Sequence, residues 1–270
     1  MTNKNTVSLM ELIEQYKKSN LNYKLPIILG ESKDGKPKFA DLVDLEHILM
    51  TGTTGSGKSV FEEGVILTLM SLFSPDELRL ILVDMKRVEL TLHNGSPYLL
   101  APVVVDYDKF YSTFDWLIFE KNARLKWDKS FLEKAPHIVA IIDTFSDLHY
   151  ENPIKFQAYM SQLIYKTADV KIHIIMSDSR AGDTKMYTPL ICGLFPTKIC
   201  FNVSLAQYSK EFIGIEGGEK LKGEGDMLFL PPNRKEAIRL QSPYISGEEI
   251  NKFDKVLDKV NNKAIHNLTS

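Results

Sequence analysis

Short apolar runs alternate along this chain with longer segments in which apolar residues recur at helical spacing. The runs predict buried strands, and the longer segments predict helices. The predicted strands are residues 25–29, 38–42, 48–50, 78–83, 138–142, 172–176, 198–203, 227–230 and 237–240, with 99–105 as a further extended segment. The predicted helices are residues 7–18, 60–72, 108–127, 153–167 and 246–261. This alternation predicts an α/β fold with a mostly parallel sheet and helices on both faces.

The same pattern divides the chain into three parts. Residues 1–24 hold a helix whose apolar face we expect to pack on the protein's own core, with a partner surface as the alternative. Residues 25–245 form the main domain, and residues 246–270 form a C-terminal helix and tail. Ser246 and Glu249 have the spacing of a capping box, which predicts that this last helix begins there.

The turn between the third predicted strand and the second predicted helix has the most specific chemistry. It reads GTTGSGKS, which satisfies the P-loop (Walker A) pattern. Glycines let the backbone point N–H groups at phosphate oxygens, and the helix N-terminus adds positive charge. The pattern therefore predicts bound ATP, with a glycine-rich turn that holds no ligand as the alternative. The predicted cofactor-binding residues are Gly52, Thr53, Thr54, Gly55, Ser56, Gly57, Lys58 and Ser59.

Within this turn, Lys58 is expected to reach the β- and γ-phosphates, and Ser59 to ligate Mg²⁺. The apolar run 138–142 ends in Asp143, as in the Walker B pattern. We predict that Asp143 holds the Mg²⁺ shell from the strand beside the P-loop strand. Lys58 and Asp143 are thus the predicted catalytic residues, and Ser59 and Asp143 the predicted metal ligands. Asp84 and Lys86 follow another strand at the same sheet edge and are secondary candidates.

Composition and charge limit the classes of function that this chain can have. The 33 basic and 35 acidic residues give a net charge of −2, so any DNA contact must be local or shared by subunits of a ring. Cys192 and Cys200 show no metal or redox spacing, which is typical of reduced core residues in a cytoplasmic protein. No signal-peptide pattern occurs, and no apolar run approaches the roughly 18 residues that cross a bilayer.

Several motifs together resemble the FtsK/SpoIIIE DNA-translocase ATPases, within the HerA-FtsK group of ring-forming P-loop motors. The motifs, in family order, are GTTGSGKS at 52–59, LILVDMKRVEL at 80–90, GSPYLL at 95–100, IVAIIDTFSDL at 138–148, IHIIMSDSR at 172–180, FPTKICFNV at 195–203 and GEGDMLFL at 223–230. The resemblance implies a RecA-like core that binds ATP between the subunits of a hexamer and moves double-stranded DNA through its pore. It also implies a motor domain without the membrane domain and winged helix of larger members.

Four positions depart from the family pattern. Thr144 stands where the family has the glutamate that polarises the attacking water, and a hydroxyl cannot act as that base near neutral pH. Asp178-Ser179-Arg180 replaces a Thr-Gln-Arg stretch whose glutamine senses the γ-phosphate. Ala168 and Ala206 align with an arginine and a lysine of the family. Candidate substitutes for these two cations are Arg180, Lys198 and Lys210.

Two function hypotheses follow from these observations. The first is an ATP-driven protein that acts on double-stranded DNA as a translocase or DNA-transfer motor, in a homo-oligomeric or mixed ring. The second is a pseudo-ATPase that binds Mg-ATP with little hydrolysis and serves as an assembly or regulatory subunit. ATP turnover discriminates between the two. Lys185 and its neighbours in the loop are the hypothesised DNA contacts.

Overall fold

A computed structural model describes residues 7–183, 185–232, 234–250 and 252–253. Within these residues nine strands form one sheet in the order β2-β1-β9-β8-β7-β3-β6-β5-β4. The strands are β1 Pro26–Ser32, β2 Pro37–Asp41, β3 Ile48–Thr51, β4 Leu78–Asp84, β5 His137–Asp143, β6 Ile172–Asp178, β7 Thr197–Phe201, β8 Asp226–Leu230 and β9 Ile238–Gln241. Strands β4, β5, β6, β3 and β7 run parallel, and the other four extend the sheet by antiparallel pairing.

Helices cover both faces of the parallel strands. They are α1 Leu9–Lys18, α2 Leu42–Leu45, α3 Lys58–Leu72, α4 Tyr107–Arg124, α5 Lys129–Lys134, α6 Phe145–Glu151, α7 Pro153–Ile164, α8 Pro189–Leu194 and α9 Ala206–Ile213. Along β4, Ile81 and Val83 pack in the core beneath α4 and α7, whereas Leu80 and Leu82 pack in the core beneath α3. Burial on both faces explains the continuous apolar runs and confirms the predicted α/β class.

The two ends of the described chain pack against each other. Leu9, Leu12 and Ile13 of α1 are buried in a small cluster that also contains Phe253, so this helix packs on its own chain as expected. Glu249 accepts hydrogen bonds from the Ser8 hydroxyl at 2.6 Å and from the Met10 N–H at 3.0 Å.

The predicted capping box is present at the start of the last helix. The N–H of Ser246 donates to Glu249 at 2.9 Å, and the N–H of Glu249 donates to the Ser246 hydroxyl at 3.2 Å. Residues 247–250 and 252–253 are helical, and the rest of the helix predicted to residue 261 lies outside the described residues. The division into 1–24, 25–245 and 246–270 stays a prediction.

The predicted extended segment at residues 99–105 forms two isolated bridges to β4, and Pro102 has no N–H for a continuous ladder. One sequence prediction is wrong about neighbouring strands. Strand β6 pairs with both β3 and β5, so Asp143 does not lie on the strand beside the P-loop strand. Chain order alone does not show which later strand inserts between two earlier ones.

Several short helices were also missed by the sequence prediction. Helices α5, α6, α8 and α9 span only six to eight residues each, too few to display a clear helical repeat. None of the helices in the described residues is both long and apolar enough to cross a membrane.

Three histidines are buried at the amino-terminal end of the parallel strands. The ring centroid of His173 lies 6.4 Å from that of His47 and 5.7 Å from that of His137. His47 accepts a hydrogen bond from the Ile174 N–H at 3.1 Å, which requires an unprotonated nitrogen. Burial lowers the pKa of His47 and His137 to about 3 and that of His173 to about 4. These rings are therefore neutral in the folded protein near neutral pH.

This cluster predicts acid sensitivity. Each histidine has a lower pKa folded than unfolded, so stability is lost as pH falls below about 6.5, by up to ~1.4 kcal/mol per pH unit for each ring. Urea unfolding between pH 7 and 4.5 should show a steeper loss for wild type than for His137→Gln. Parallel pH profiles for the two proteins would contradict a neutral buried His137.

Candidate functional site

The predicted P-loop connects the end of β3 to the start of α3 at the carboxyl edge of the parallel strands. Gly55 and Gly57 have φ values of 78° and 107°, a region that favours glycine. The Thr53 N–H donates to the Asn202 carbonyl at 2.8 Å, and the Ser56 N–H donates to the Thr53 carbonyl at 3.2 Å. The loop is thus a closed turn whose last residue, Gly57, immediately precedes the helix.

A second glycine-containing loop, residues 223–225, packs against this turn. The Gly225 N–H donates to the Ser56 carbonyl at 2.9 Å, and a methyl group on Gly57 would lie only 2.7 Å from Gly225 Cα. This contact requires glycine at position 57, and the P-loop pattern alone does not indicate it. The signal in the sequence was the Gly-Glu-Gly at residues 223–225, which precedes β8.

Lys58 turns its side chain back onto the P-loop. Its Nζ donates to the carbonyl oxygens of Gly52 at 2.6 Å and Thr53 at 3.1 Å. Burial lowers the pKa of Lys58, while the negative charges of Glu62, Asp143 and Asp178 oppose that shift. The ammonium group therefore lies inside the loop and next to a group of acids.

Asp143 lies at the end of β5 and is buried. Its Oδ1 accepts hydrogen bonds from the Thr144 hydroxyl at 3.1 Å and the Ser177 hydroxyl at 3.2 Å. Burial raises the pKa of Asp143, and the nearby Lys86 charge is the main opposing effect. The structure thus brings Asp143 into the same cluster as Lys58, although β6 separates their strands.

Thr144 follows Asp143 in a left-handed conformation, with φ 56° and ψ 60°. Its side chain is buried, and its hydroxyl bonds Asp143, so this position supplies no acidic group to the site. A β-branched residue adopts this conformation only at a cost of about 1–3 kcal/mol. The turn is therefore held by its surroundings rather than by local preference.

Asp84 pairs in register with Asp143 at the edge of the sheet. Its Oδ2 accepts hydrogen bonds from the N–H groups of Glu89 and Leu90, each at 2.9 Å, which fixes the loop after β4. Lys86 in this loop is exposed. Both secondary candidates therefore lie near the site, and Asp84 has a defined structural role there.

Asp178 is also buried at this edge, and its contacts are structural. Its two oxygens accept hydrogen bonds from the N–H groups of Ser146 at 2.7 Å and Arg180 at 2.8 Å, which tie β6 to α6. Arg180 lies 3.6 Å from Asp147 and over the Tyr150 ring at 5.1 Å.

The remaining positions singled out from the sequence lie elsewhere in the fold. Lys198 is part of β7, and Lys210 pairs with Glu216 at 3.2 Å. Ala168 begins a short 3₁₀ turn, and Ala206 begins α9. Lys185 is exposed.

Sequence reasoning missed Glu62, which lies one helical turn after Lys58. The side chain is 1 % exposed, and neither carboxylate oxygen has a hydrogen-bond partner among the described residues. Burial raises the pKa of Glu62 well above its usual value, and the Asp143 charge adds to the shift. The available signal was an acidic residue on the face of α3 that also contains Phe61 and Val65.

The oxygen donors at this edge suit a magnesium ion. Ser59 supplies a hydroxyl at the start of α3, and Asp143 supplies a carboxylate from β5. Mg²⁺ prefers oxygen ligands and is bound in nucleotide sites through one or two carboxylates together with substrate phosphates. The residues present therefore fit the predicted cofactors, ATP and Mg²⁺.

Comparison with known proteins agrees with this geometry. The model of the FtsK/SpoIIIE family matches residues 8–127. The DNA translocase FtsK of Chlamydia pneumoniae is 32% identical over 271 residues, which cover 91% of this chain and 34% of that protein. This chain belongs to the FtsK/SpoIIIE family. It spans about a third of the length of that relative.

Solved structures confirm the expected RecA-like P-loop fold. The pCW3 conjugation coupling protein TcpA, in a monomer form with ATPγS, has a TM-score of 0.73 at 21% identity, covering 88% of this chain and 72% of that chain. The cytoplasmic domain of the type VII secretion ATPase EccC from Thermomonospora curvata has a TM-score of 0.79 at 19% identity, covering 96% of this chain and 34% of that chain. At such identities the likeness establishes the fold.

The contact between the P-loop and Gly225 should contribute to the free energy of unfolding. Gly57→Ala should lose more stability than Gly55→Ala. Both variants pay about 1–2 kcal/mol for the left-handed backbone, but only the methyl group added at position 57 would meet the Gly225 backbone. The extra loss should be ~1–3 kcal/mol, measured by urea unfolding without nucleotide. Equal losses in the two variants would show that Gly225 does not support the P-loop.

Proposed function

We propose that this protein is an ATP-driven motor that acts on double-stranded DNA. The observation that supports this most strongly is the arrangement at one sheet edge of a glycine turn, a helix N-terminus, a buried lysine and Asp143. The relatives that cover most of the chain are named DNA translocases, which favours DNA as the substrate. The net charge of −2 implies that DNA contacts are local, with exposed Lys185 as the proposed example.

Each residue of the site has a defined task in this proposal. N–H groups of residues 52–57 other than those of Thr53 and Ser56, which bond carbonyls of the protein, hold the phosphates, and the positive end of α3 faces them. Lys58 leaves the carbonyls of Gly52 and Thr53 and moves onto the β- and γ-phosphates. Ser59 and Asp143 would hold Mg²⁺, which when bound would supply positive charge to the phosphate oxygens. The Ser177 hydroxyl keeps Asp143 oriented toward the site.

Assembly into a ring is part of the same proposal. A groove of about 810 Å³ begins beside Ser59 and is lined by Val88, Leu92 and His93. Leu92 is 87% exposed and Val88 is 66% exposed. Apolar side chains so close to a nucleotide site favour a subunit contact that would complete the site, in a homo-oligomeric ring such as a hexamer or in a mixed ring.

A pseudo-ATPase is the second candidate, and the bond between Thr144 and Asp143 favours it. Threonine supplies no acidic group at this position, and the Thr144 hydroxyl is already bonded to Asp143. The two candidates differ in turnover. Duplex-stimulated hydrolysis above about 1 s⁻¹ and displacement of a third DNA strand would support the motor. Tight Mg-ATP binding without either activity would support the pseudo-ATPase.

Nucleotide binding can be tested with Lys58→Ala. Saturating Mg-ATPγS should stabilise wild type by ~2.7 kcal/mol at a hundredfold excess over Kd, which raises Tm by several degrees. The variant should fold and lose this shift, because the phosphates lose their cation. A matched control is Lys210→Ala, whose lysine pairs with Glu216 away from the loop. An equal Tm shift in Lys58→Ala and wild type would contradict the assigned site.

The subunit contact can be tested with Leu92→Asp. This change should reduce ring formation in light scattering and lower duplex-stimulated turnover at least about tenfold, because it places a charge in an apolar contact. Leu21→Asp, at another exposed leucine, serves as the matched control. Nucleotide binding by the monomer should be unchanged in both variants. Normal assembly of Leu92→Asp would exclude this surface as the interface.

A further inference from the structure

Glu62 is an acidic residue that is buried, and burial of an ionisable side chain destabilises the folded state. It lies on the buried face of α3, four residues after Lys58, so the two side chains share one face of the helix. Neither carboxylate oxygen has a hydrogen-bond partner among the described residues. A buried polar group without a partner destabilises a fold, and such groups are expected mainly at functional sites.

The surroundings of Glu62 show what kind of partner would fit. Asp143 acts on it as a nearby negative charge, and Lys58 and Ser177 act as groups that favour its ionised form. Ser177 also donates to Asp143, so the same hydroxyl acts on both acids. The end of β5, the end of β6 and the first turns of α3 therefore bring two buried carboxylates together.

A cation bound beside Asp143 would give Glu62 the partner that it lacks among the described residues. In the structure the nearby positive charges are that of Lys58, which acts on Glu62, and that of Lys86, which acts on Asp143. The Lys58 ammonium group bonds the loop carbonyls. When Lys58 moves onto phosphates, it is shared with several negative oxygens and favours the ionised form of Glu62 less. Like charges at close range in a low dielectric are strongly unfavourable unless a cation lies beside them.

We propose that Glu62 is the second carboxylate of the magnesium site, supplied by α3 to act with Asp143 and Ser59. This inference rests on the proposed nucleotide binding and deepens it. A set of two carboxylates, a serine hydroxyl and phosphate oxygens matches the way Mg²⁺ is held in nucleotide sites. Glu62 thereby provides from the helix the second acidic group that Thr144 does not provide from the strand.

The test separates metal dependence from nucleotide binding. The affinity for ATPγS is measured by calorimetry with Mg²⁺ and again with EDTA, for wild type, Glu62→Gln and Glu63→Gln. Glu63 is the matched control, because it is the adjacent glutamate and pairs with His93 at 2.8 Å on the outer side of α3. Mn²⁺ bound in the presence of ATPγS is counted by electron paramagnetic resonance as a second readout.

For Glu62→Gln we expect nearly unchanged ATPγS affinity in EDTA. Mg²⁺ should raise the ATPγS affinity of wild type, and this increase should be about tenfold or more smaller in Glu62→Gln. Mn²⁺ affinity should fall by a similar factor, and Glu63→Gln should behave as wild type. Glu62→Leu, which removes the buried orphan acid, should raise Tm without nucleotide while losing the same metal dependence.

Three results would overturn the inference in distinguishable ways. An unchanged Mg²⁺ gain in Glu62→Gln excludes Glu62 from the metal site. An equal loss with Mg²⁺ and with EDTA, together with a lower Tm in Glu62→Leu, assigns Glu62 a structural role instead. A wild type that binds no ATPγS in either buffer rejects the proposed function itself.

Discussion

The site depends on the ammonium group of Lys58 more than on any other single group. This ammonium group holds the P-loop closed through the carbonyls of Gly52 and Thr53, and it lies among buried acids. A cluster of carboxylates without a nearby cation would be costly in this environment. In the proposed function Lys58 would leave the loop carbonyls, because phosphates offer it stronger partners than carbonyls do. Lys58 therefore contacts the P-loop, lies near the buried acids and is the residue proposed to bind the phosphates.

The sheet places these groups without any of them being close in sequence. Parallel strands end at one edge, so Asp84, Asp143 and Asp178 reach the same region from β4, β5 and β6. Two of these acids are engaged by backbone N–H groups and hold loops in place. The third, Asp143, is bonded by side-chain hydroxyls alone among its described contacts, which leaves it available to a metal.

Much of this fold was predictable because its core is periodic. Buried parallel strands such as β4 and β5 appear as unbroken apolar runs, and α3 and α4 are long enough to show helical spacing. The P-loop was predictable because its glycine spacing reflects a backbone shape that few other sequences permit. Asp143 was predictable as an acid at a strand end, but not its separation from β3 by β6, since strand order is a tertiary property.

Other features depend on contacts that no local pattern records. The support of Gly57 by Gly225 joins residues far apart in the chain, and the motif alone assigned no partner to either. Glu62 looks in sequence like an ordinary charged residue of a helix, and only its burial beside Asp143 distinguishes it. Short helices such as α8 and α9 begin and end through caps and tertiary packing rather than through periodicity.

We propose that the P-loop, Asp143 at the end of β5 and Glu62 on α3 form one Mg-nucleotide site. The most direct measurement is a crystal structure with Mn²⁺ and ATPγS, in which anomalous scattering locates the metal. We expect Mn²⁺ bonded to the Ser59 hydroxyl and facing the carboxylates of Asp143 and Glu62, with Lys58 moved onto the phosphates. A metal located away from Asp143, or Lys58 still bonded to the Gly52 carbonyl with nucleotide present, would contradict this proposal.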